Sequence, residues 1–299
     1  ARAAGGWAER LAESNDWAEL APALAAHYRE HGAGPLARYR ALRWNGEALE
    51  PVLHPDIPSP AALVGYEAER ALLRRTTAQF AAGHPGNSVL LYGDRGTGKS
   101  SSVKSLLHAE SADGPGWERL RLIEVPKARL VDFPTIVPRL RGRPQRFILF
   151  VDDLSFEDGE TEYKHMKAML EGGIEARPEN VVVYATSNRR HLIRERFTDR
   201  TSPDSDDVHA RDTVEEKLSF SDRFGVTITF PSPSQAAYLE IVAGLAAQRG
   251  IPLEPAALRA RAIEWAAWHN GRSGRTARQF VDYLEGELGL GTDLAASRA

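Results

Sequence analysis

Val89-Leu90-Leu91-Tyr92-Gly93-Asp94-Arg95-Gly96-Thr97-Gly98-Lys99-Ser100-Ser101 decides how the rest of this chain is read. An apolar run of strand length leads into the spacing G-x-x-x-x-G-K-[ST], and a helical run follows from Lys99 to His108. That strand–loop–helix order is the setting the motif's mechanism requires. The glycines let the backbone curl until successive N–H groups point inward around a phosphate. The helix that follows adds its own N-terminal donors and the positive end of its dipole. Lys99 is then expected to reach the β- and γ-phosphates of a nucleotide, and Ser100 to offer its hydroxyl to Mg2+. The stretch therefore predicts an ATP and Mg2+ site built from Gly93 through Ser101.

Downstream, Phe147-Ile148-Leu149-Phe150-Val151 runs into Asp152-Asp153, 52 residues beyond Ser100. Two acids at the end of a buried-type strand are costly unless a cation or water network meets them. A P-loop needs such a carboxylate on an adjacent strand end to hold the metal. Asp152 is expected to bind Mg2+ through its water shell, sharing the ion with Ser100, and Asp153 to polarise or place the attacking water. Val181–Ala185 is followed by Thr186-Ser187-Asn188. This strand end faces the γ-phosphate in P-loop folds, so Asn188 could orient the water; a turn-forming Asn after a strand is the alternative. Arg223, in Ser221-Asp222-Arg223-Phe224, and Arg275, in Gly274-Arg275-Thr276-Ala277-Arg278, complete the set. A guanidinium beside the transferring phosphoryl group is worth several kcal/mol, on the order of a thousandfold in rate. Singly, each arginine reads as a solvated surface charge; their order relative to the acids singles them out.

Further outward, the apolar runs Val89–Tyr92, Leu120–Val125, Phe147–Val151, Val181–Ala185 and Val226–Phe230 alternate with helical segments such as Glu67–Ala82 and Glu162–Glu171. Strands separated by helical crossovers predict an α/β fold, a five-stranded parallel sheet flanked by helices, over residues 61–231. Beyond Pro231 and Pro233, Gln235–Arg249, Pro255–Trp268 and Arg275–Leu288 read as three helices, a C-terminal lid subdomain over 232–299. Residues 1–60 read as a small helical region and a linker. Two short helices with a break near Pro22 and a capping box at Asp16-Trp17-Ala18-Glu19 are expected, then a helix over Leu36–Trp44. Pro51, Pro55, Pro58 and Pro60 mark a semi-stiff strap. His27 and His31 lie four apart and could share a metal, but no third ligand accompanies them, and a solvated helix face is the reading preferred. Thr198–Lys217 carries seven acidic and three basic residues without periodicity at its start, as a surface loop does.

Composition narrows the class. The chain has 299 residues, 42% hydrophobic and 26% charged, enough for a core and about two domains. The formal net charge is −3, which gives no support for a nucleic-acid partner, though a local patch would escape this count. There is no cysteine, which excludes disulfides, thiolate zinc sites and thiol nucleophiles, and makes a cytoplasmic location the default. The longest apolar runs are strand-sized, too short to span a bilayer, so no membrane partner is expected. No signal peptide is visible, and the chain begins at Ala1 without Met, as a processed product or part of a longer protein does.

In this order the motifs over residues 61–290 resemble those of AAA+ ATPases. Within that superfamily the chain is similar to the ATP-binding group named for domain of unknown function 815, on LVGYE, LLYGDRGTGKSS, LFVDDLSFE, YATSNRRHL and SDRFG. The resemblance implies that Leu63-Val64-Gly65-Tyr66-Glu67 lies against adenine. It matches Gly93–Ser100 to Walker A, Phe147–Asp153 to Walker B, Asn188 to sensor 1, Arg223 to the arginine finger and Arg275 to sensor 2. Arg275 is preferred to Arg278 because Arg-x-Ala-x-x-Phe from 275 fits the family's helix pattern. The usual second acid of Walker B is Glu; here it is Asp153, as in the bacterial replication initiator and its helicase-loading relatives. A shorter carboxylate suggests slow hydrolysis, with Glu157 as a reserve candidate.

The expectation that follows is a Mg-ATP-dependent ATPase, a homo-oligomer in the family's manner, that couples hydrolysis to conformational change of a protein partner. A nucleic-acid loader of the replication type is the alternative, favoured by Asp152-Asp153 and by Arg189, Arg190, Arg194 and Arg196. No helix-turn-helix or basic C-terminal domain supports it. A P-loop small-molecule kinase is the third reading, and the separate C-terminal helices with Arg275 argue against it.

Overall fold

Strands buried on both faces must be apolar along their whole length, and the central runs of this chain are. The computed structural model describes residues 5–109, 113–155, 162–171, 177–188, 221–269 and 271–290. All five expected strands are present: β3 (Val89–Gly93), β4 (Leu120–Glu124), β5 (Arg146–Val151), β6 (Val181–Ser187) and β7 (Val226–Phe230). They are mutually parallel in the order β4-β5-β6-β3-β7. Every residue of β6 is buried, which is why Val181 to Ala185 run apolar without alternation.

Alternate side chains of these strands feed two cores. Leu90, Phe147, Leu149, Val151, Val181 and Val183 pack with Phe133, Ile136 and Leu140 of α6 (Phe133–Leu140) and Met166 of α7 (Glu162–Glu171). Val89, Leu91, Ile148, Phe150 and Val182 pack on the other face, with Leu73 and Phe80 of α4 (Glu67–Ala81) and Val103 of α5 (Lys99–Ser105). Helix α6 adds to the sequence expectation: despite Pro134 and Pro138, Phe133, Ile136, Val137 and Leu140 recur at helical spacing and are all buried. Pro134 sits at its first turn, where the missing N–H has no partner to lose.

The N-terminal region departs from expectation. Helices α1 (Gly5–Glu13) and α2 (Trp17–His31) are both there, but the break falls at 14–16 and Pro22 lies inside α2. Asp16 caps α2 by accepting from the Ala18 N–H at 2.8 Å. The helix expected over Leu36–Trp44 is instead a single turn, α3 (Pro35–Arg38), followed by strand β1 (Ala41–Trp44). Strand β2 (Leu49–Pro51) pairs antiparallel with β1, and β1 runs parallel to β4, so the sheet has seven strands rather than five. The reason is legible in the side chains. Leu42 and Trp44 are buried while Arg43 between them is exposed, a period of two that a helix cannot use. Asn45-Gly46 makes the turn, with Asn45 Oδ1 accepting from the Glu47 and Ala48 amides at 2.8 Å each. The buried guanidinium of Arg121 donates to the Leu36 and Ala37 carbonyls at 2.6 and 3.2 Å and so ties α3 to β4. Burial, with Arg40 nearby, pushes that guanidinium down to about 10. Residues 52–59 have no regular structure, as their prolines require.

Among the described residues three helices follow β7: α8 (Gln235–Gln248), α9 (Pro255–Trp268) and α10 (Gly274–Gly289). Ser234 and Ser273 cap α8 and α10 by accepting from backbone N–H groups three residues on. A third core, including Tyr238, Val242, Leu258, Phe280 and Leu284, holds the three together, and Val64 and Tyr66 pack against it. Among the described residues no helix is long and apolar enough to cross a membrane.

Candidate functional site

The topology gathers the motifs at one edge of the sheet. Strands β3, β5 and β6 are adjacent and parallel, so the loop after β3, Asp152 after β5 and Asn188 after β6 all lie at their C-terminal ends. A cleft of about 600 Å3 opens there, between the sheet edge and helices α8 and α10.

The glycine loop is shaped by backbone that other residues resist. Gly93 has φ 144°, and a Cβ there would lie 1.9 Å from the Phe230 carbonyl oxygen, so β3 and β7 can approach only through a glycine. Gly98 has φ 93°, yet a Cβ added there would meet nothing within 4 Å. The backbone at Gly98 therefore borders open space, where a phosphate would be cradled.

Lys99 lies folded over this loop with only 6% of its surface accessible. Its Nζ donates to the Gly93 and Asp94 carbonyls at 2.7 and 2.6 Å and to Asn188 Oδ1 at 3.2 Å. Burial lowers its pKa, and Arg275 adds to the lowering, while Asp94, Asp153 and Asp152 oppose it. Ser100 Oγ donates to Asp152 Oδ1 at 2.5 Å, and Thr186 Oγ1 donates to the same oxygen at 2.5 Å. The Asp153 N–H donates to Thr186 Oγ1 at 2.9 Å, so one hydroxyl holds both acids in place. Asn188 Nδ2 donates in turn to Asp153 Oδ1. Asp153 itself is left-handed, at φ 52°, which Asp tolerates better than most residues. Both acids are exposed to the cleft, so the desolvation cost inferred from the sequence does not arise.

The other end of the cleft is apolar. Leu63, Val64, Phe230, Ile241 and Leu245 line it, with Tyr66 and Arg70 beside them. Tyr66 donates its hydroxyl to the Pro231 carbonyl at 2.6 Å, and burial first, then Glu69 and Asp94, push its pKa up to about 12. An apolar slot beside a cationic, hydroxyl-lined and acidic end is complementary to a base joined to phosphates and a divalent cation. Ser100 and Asp152 form the oxygen donor pair that a hard cation takes through one or two protein ligands.

The family described as "Protein of unknown function (DUF815)" matches residues 37–288. This chain belongs to that family. No curated protein matches the sequence. The RuvB Holliday junction branch migration motor of Thermotoga maritima is similar in structure, with TM-score 0.51 at 17% identity over 79% of this chain and 67% of that one. A single-substitution variant of the same RuvB gives 0.51 at 17%, over 79% and 69%. At such identity the likeness shows the fold, and that fold is AAA+.

On this DUF815 chain the cleft collects Gly96 through Ser101, Arg95, Asp152, Asp153, Asn188, Val64 and Arg275 among its lining residues. The Arg275 N–H donates to the Gly96 carbonyl at 3.0 Å, which ties α10 to the loop. Arg223 is not gathered in: it ends a short turn, Ser221–Arg223, ahead of β7 and outside the cleft lining. Asp94 turns its carboxylate to the Ser232 hydroxyl. Sequence reasoning missed Thr186, although the register that pairs Val151 with Ala185 puts Thr186 beside Asp152. It also passed over Arg70 and set aside Arg278, both of which line the cleft. Glu157, the cluster Arg189, Arg190, Arg194 and Arg196, and the segment 198–217 lie outside the described residues.

Proposed function

We propose that this protein is a Mg-ATP-binding AAA+ ATPase that couples ATP binding and hydrolysis to conformational change in a protein partner or in its own assembly. One observation carries the reading: the Ser100 hydroxyl and Asp152 carboxylate meet at 2.5 Å beside the Lys99 ammonium, which shares Asn188 with Asp153. Lys99 would exchange its two carbonyl acceptors for the β- and γ-phosphate oxygens. Gly96 to Ser101 would supply backbone donors to the phosphates, with Gly93, Asp94 and Arg95 shaping the loop and Val64 lying against adenine. Ser100 and Asp152 would hold Mg2+, which would neutralise charge on the phosphates. Asp153 would accept a proton from the attacking water, which Asn188 orients. Arg275 would read the nucleotide from α10, making the lid sensitive to its state.

Arg223 is assigned to a neighbouring subunit's site. Its position outside its own cleft supports that role, and a homo-oligomer follows from it. We take residues 61–231 as the nucleotide module and 232–299 as its lid. Residues 1–60, including the added strands β1 and β2, form the N-terminal region, and the location is cytoplasmic. A nucleic-acid loader of the replication type is the second reading, favoured by Asp153 in the place of the usual Glu. Strongly salt-dependent binding of a DNA probe would single it out.

Calorimetric titration of ATP with Mg2+ into Lys99→Ala tests the central claim. At least about a tenfold loss of affinity is expected from removing a charge-assisted phosphate contact. Undiminished binding would remove the assignment.

A further inference from the structure

The opposite edge of the sheet carries a second concavity. Strands β4, β5 and β6 begin there, at Leu120, Arg146 and Val181. A recess of about 370 Å3 is lined by Arg119, Arg141, Arg143 and Arg146, with Pro178 to Asn180 as a further wall. Among the described residues lining it, Glu179 is the one carboxylate against four guanidiniums. Such a concentration of like charge is costly. Burial lowers the Arg146 pKa, and Arg119 lowers it further.

Three of the four arginines are held by contacts of their own. Arg146 lies over the Phe80 ring at 5.4 Å and donates Nη1 to the Glu179 carbonyl at 2.8 Å. Arg143 donates Nε to the Arg139 carbonyl at 2.9 Å, and Arg119 Nε lies 3.5 Å from Glu118. Asn180 Nδ2 donates to the Leu140 and Arg143 carbonyls at 2.9 and 3.1 Å, which pins the intervening turn against the start of β6. These contacts engage one nitrogen of each of Arg119, Arg143 and Arg146. A guanidinium has five N–H donors, so most of them are left for a ligand. Planar forks of this kind match oxyanions bidentately.

We propose that this recess binds a small ligand carrying two or more phosphate-type charges. The volume suits a small molecule. The arginines converge on one small hollow, whereas the footprint of a nucleic acid is a wider basic patch or stripe. The site is separate from the nucleotide cleft, since β5 starts at Arg146 and ends just before Asp152. At strand rise that is about 20 Å.

Calorimetry with inorganic pyrophosphate, without metal, tests this on the full chain, on Lys99→Ala and on the double variant Arg119→Ala/Arg143→Ala. Both arginines are replaceable without opening the core: the Arg119 side chain is 44% accessible, and Arg143 is exposed. The parent should bind pyrophosphate at two sites and Lys99→Ala at one. The arginine variant should lose the other, weakened at least about tenfold. The pair Arg119→Lys/Arg143→Lys keeps the charge and loses the fork, so it should fall between, and it carries the test if the alanine variant does not fold. An arginine variant that binds pyrophosphate at both sites as the parent does would overturn the proposal. So would displacement of pyrophosphate from the recess by short single-stranded DNA with a steep salt slope. Two undiminished sites in Lys99→Ala would instead sink the nucleotide reading and leave this one standing.

Discussion

Replacing Thr186 by Val removes one oxygen and almost no volume, so its effect reads the hydroxyl alone. That hydroxyl has a single proton, which goes to Asp152 Oδ1 at 2.5 Å, and it accepts the Asp153 N–H at 2.9 Å. Thr186→Val therefore strips Asp152 of one of its two hydroxyl donors and leaves a half-buried amide without its acceptor. A hydrogen bond to a charged group contributes about 1.5–3 kcal/mol, and an orphaned buried N–H costs about 1–3 kcal/mol. Asp152 is open to water and recovers part of its loss there. A net destabilisation of about 2 kcal/mol remains, or roughly 4–8 °C in melting temperature at about 2–4 °C per kcal/mol for a chain of this size class.

The functional effect should fall on hydrolysis rather than on binding. Both acids take their positions from this hydroxyl, while Lys99 and the loop amides do not touch it. ATP affinity should fall by less than about threefold, and hydrolysis by at least about tenfold, since misplacement near the reacting groups is costly. Thr186→Ser keeps the hydroxyl, so its hydrolysis should stay within about threefold of the parent. Melting curves, ATP calorimetry and steady-state phosphate release read the three quantities. Parental hydrolysis in Thr186→Val, or a Ser variant as impaired as the Val one, would refute the argument that the hydroxyl positions the acids.

Asp153→Asn should retain ATP binding in calorimetry while phosphate release falls to background, because the amide keeps the shape and loses the base. Gly93→Ala would drive a Cβ to 1.9 Å from the Phe230 carbonyl, so its melting temperature should drop by an amount reflecting about 3 kcal/mol or more. Gly98→Ala meets no neighbour but must hold a left-handed φ of 93°, so it should lose about 1–2 kcal/mol, roughly 2–8 °C, while it fills the phosphate hollow and abolishes ATP binding. Arg223→Ala should bind ATP normally and hydrolyse it poorly; mixed with Lys99→Ala it should recover part of the activity, and a mixture with none would count against a shared site.

Runs of one period were readable in the sequence, and mixed ones were not. Strand β6 is buried on every residue and apolar from Val181 to Ala185, so its type follows from composition, while its last two residues, Thr186 and Ser187, are polar and extend it beyond the apolar run. Residues 36–51 defeat that approach because the decisive facts are long-range. Trp44 finds Asp132 at 2.8 Å, and Arg121 finds the carbonyls of α3, 85 residues away. Only Asn45-Gly46 announced the hairpin locally. At the site, Lys99, Ser100 and Asp152 were legible because the motif fixes their chemistry. Thr186 was not, because a threonine near a strand end has no signature until the register with β5 is known. Arg70 and Arg278 belong to α4 and α10, whose relative placement no local pattern encodes.

Asn188 joins the cation and the acid of the cleft through one amide, and its orientation there is forced. A carboxylate can only accept, so Nδ2 must face Asp153; an ammonium can only donate, so Oδ1 must face Lys99. The two halves of the amide are therefore committed to partners of opposite charge, and reversing the group would place like dipoles against each. A ligand oxyanion that draws Nζ from Oδ1 relieves one half of that commitment. The other half still holds Asp153, whose left-handed backbone gives it few alternative positions. On the proposed reading, occupancy at Lys99 would be felt at Asn188, whose amide would then serve Asp153 alone, with no movement of the sheet required. The Asp153–Asn188 pair would then be released from the lysine only when a phosphate is present. A slow ATPase whose chemistry waits on correct occupancy is what such a linkage would produce.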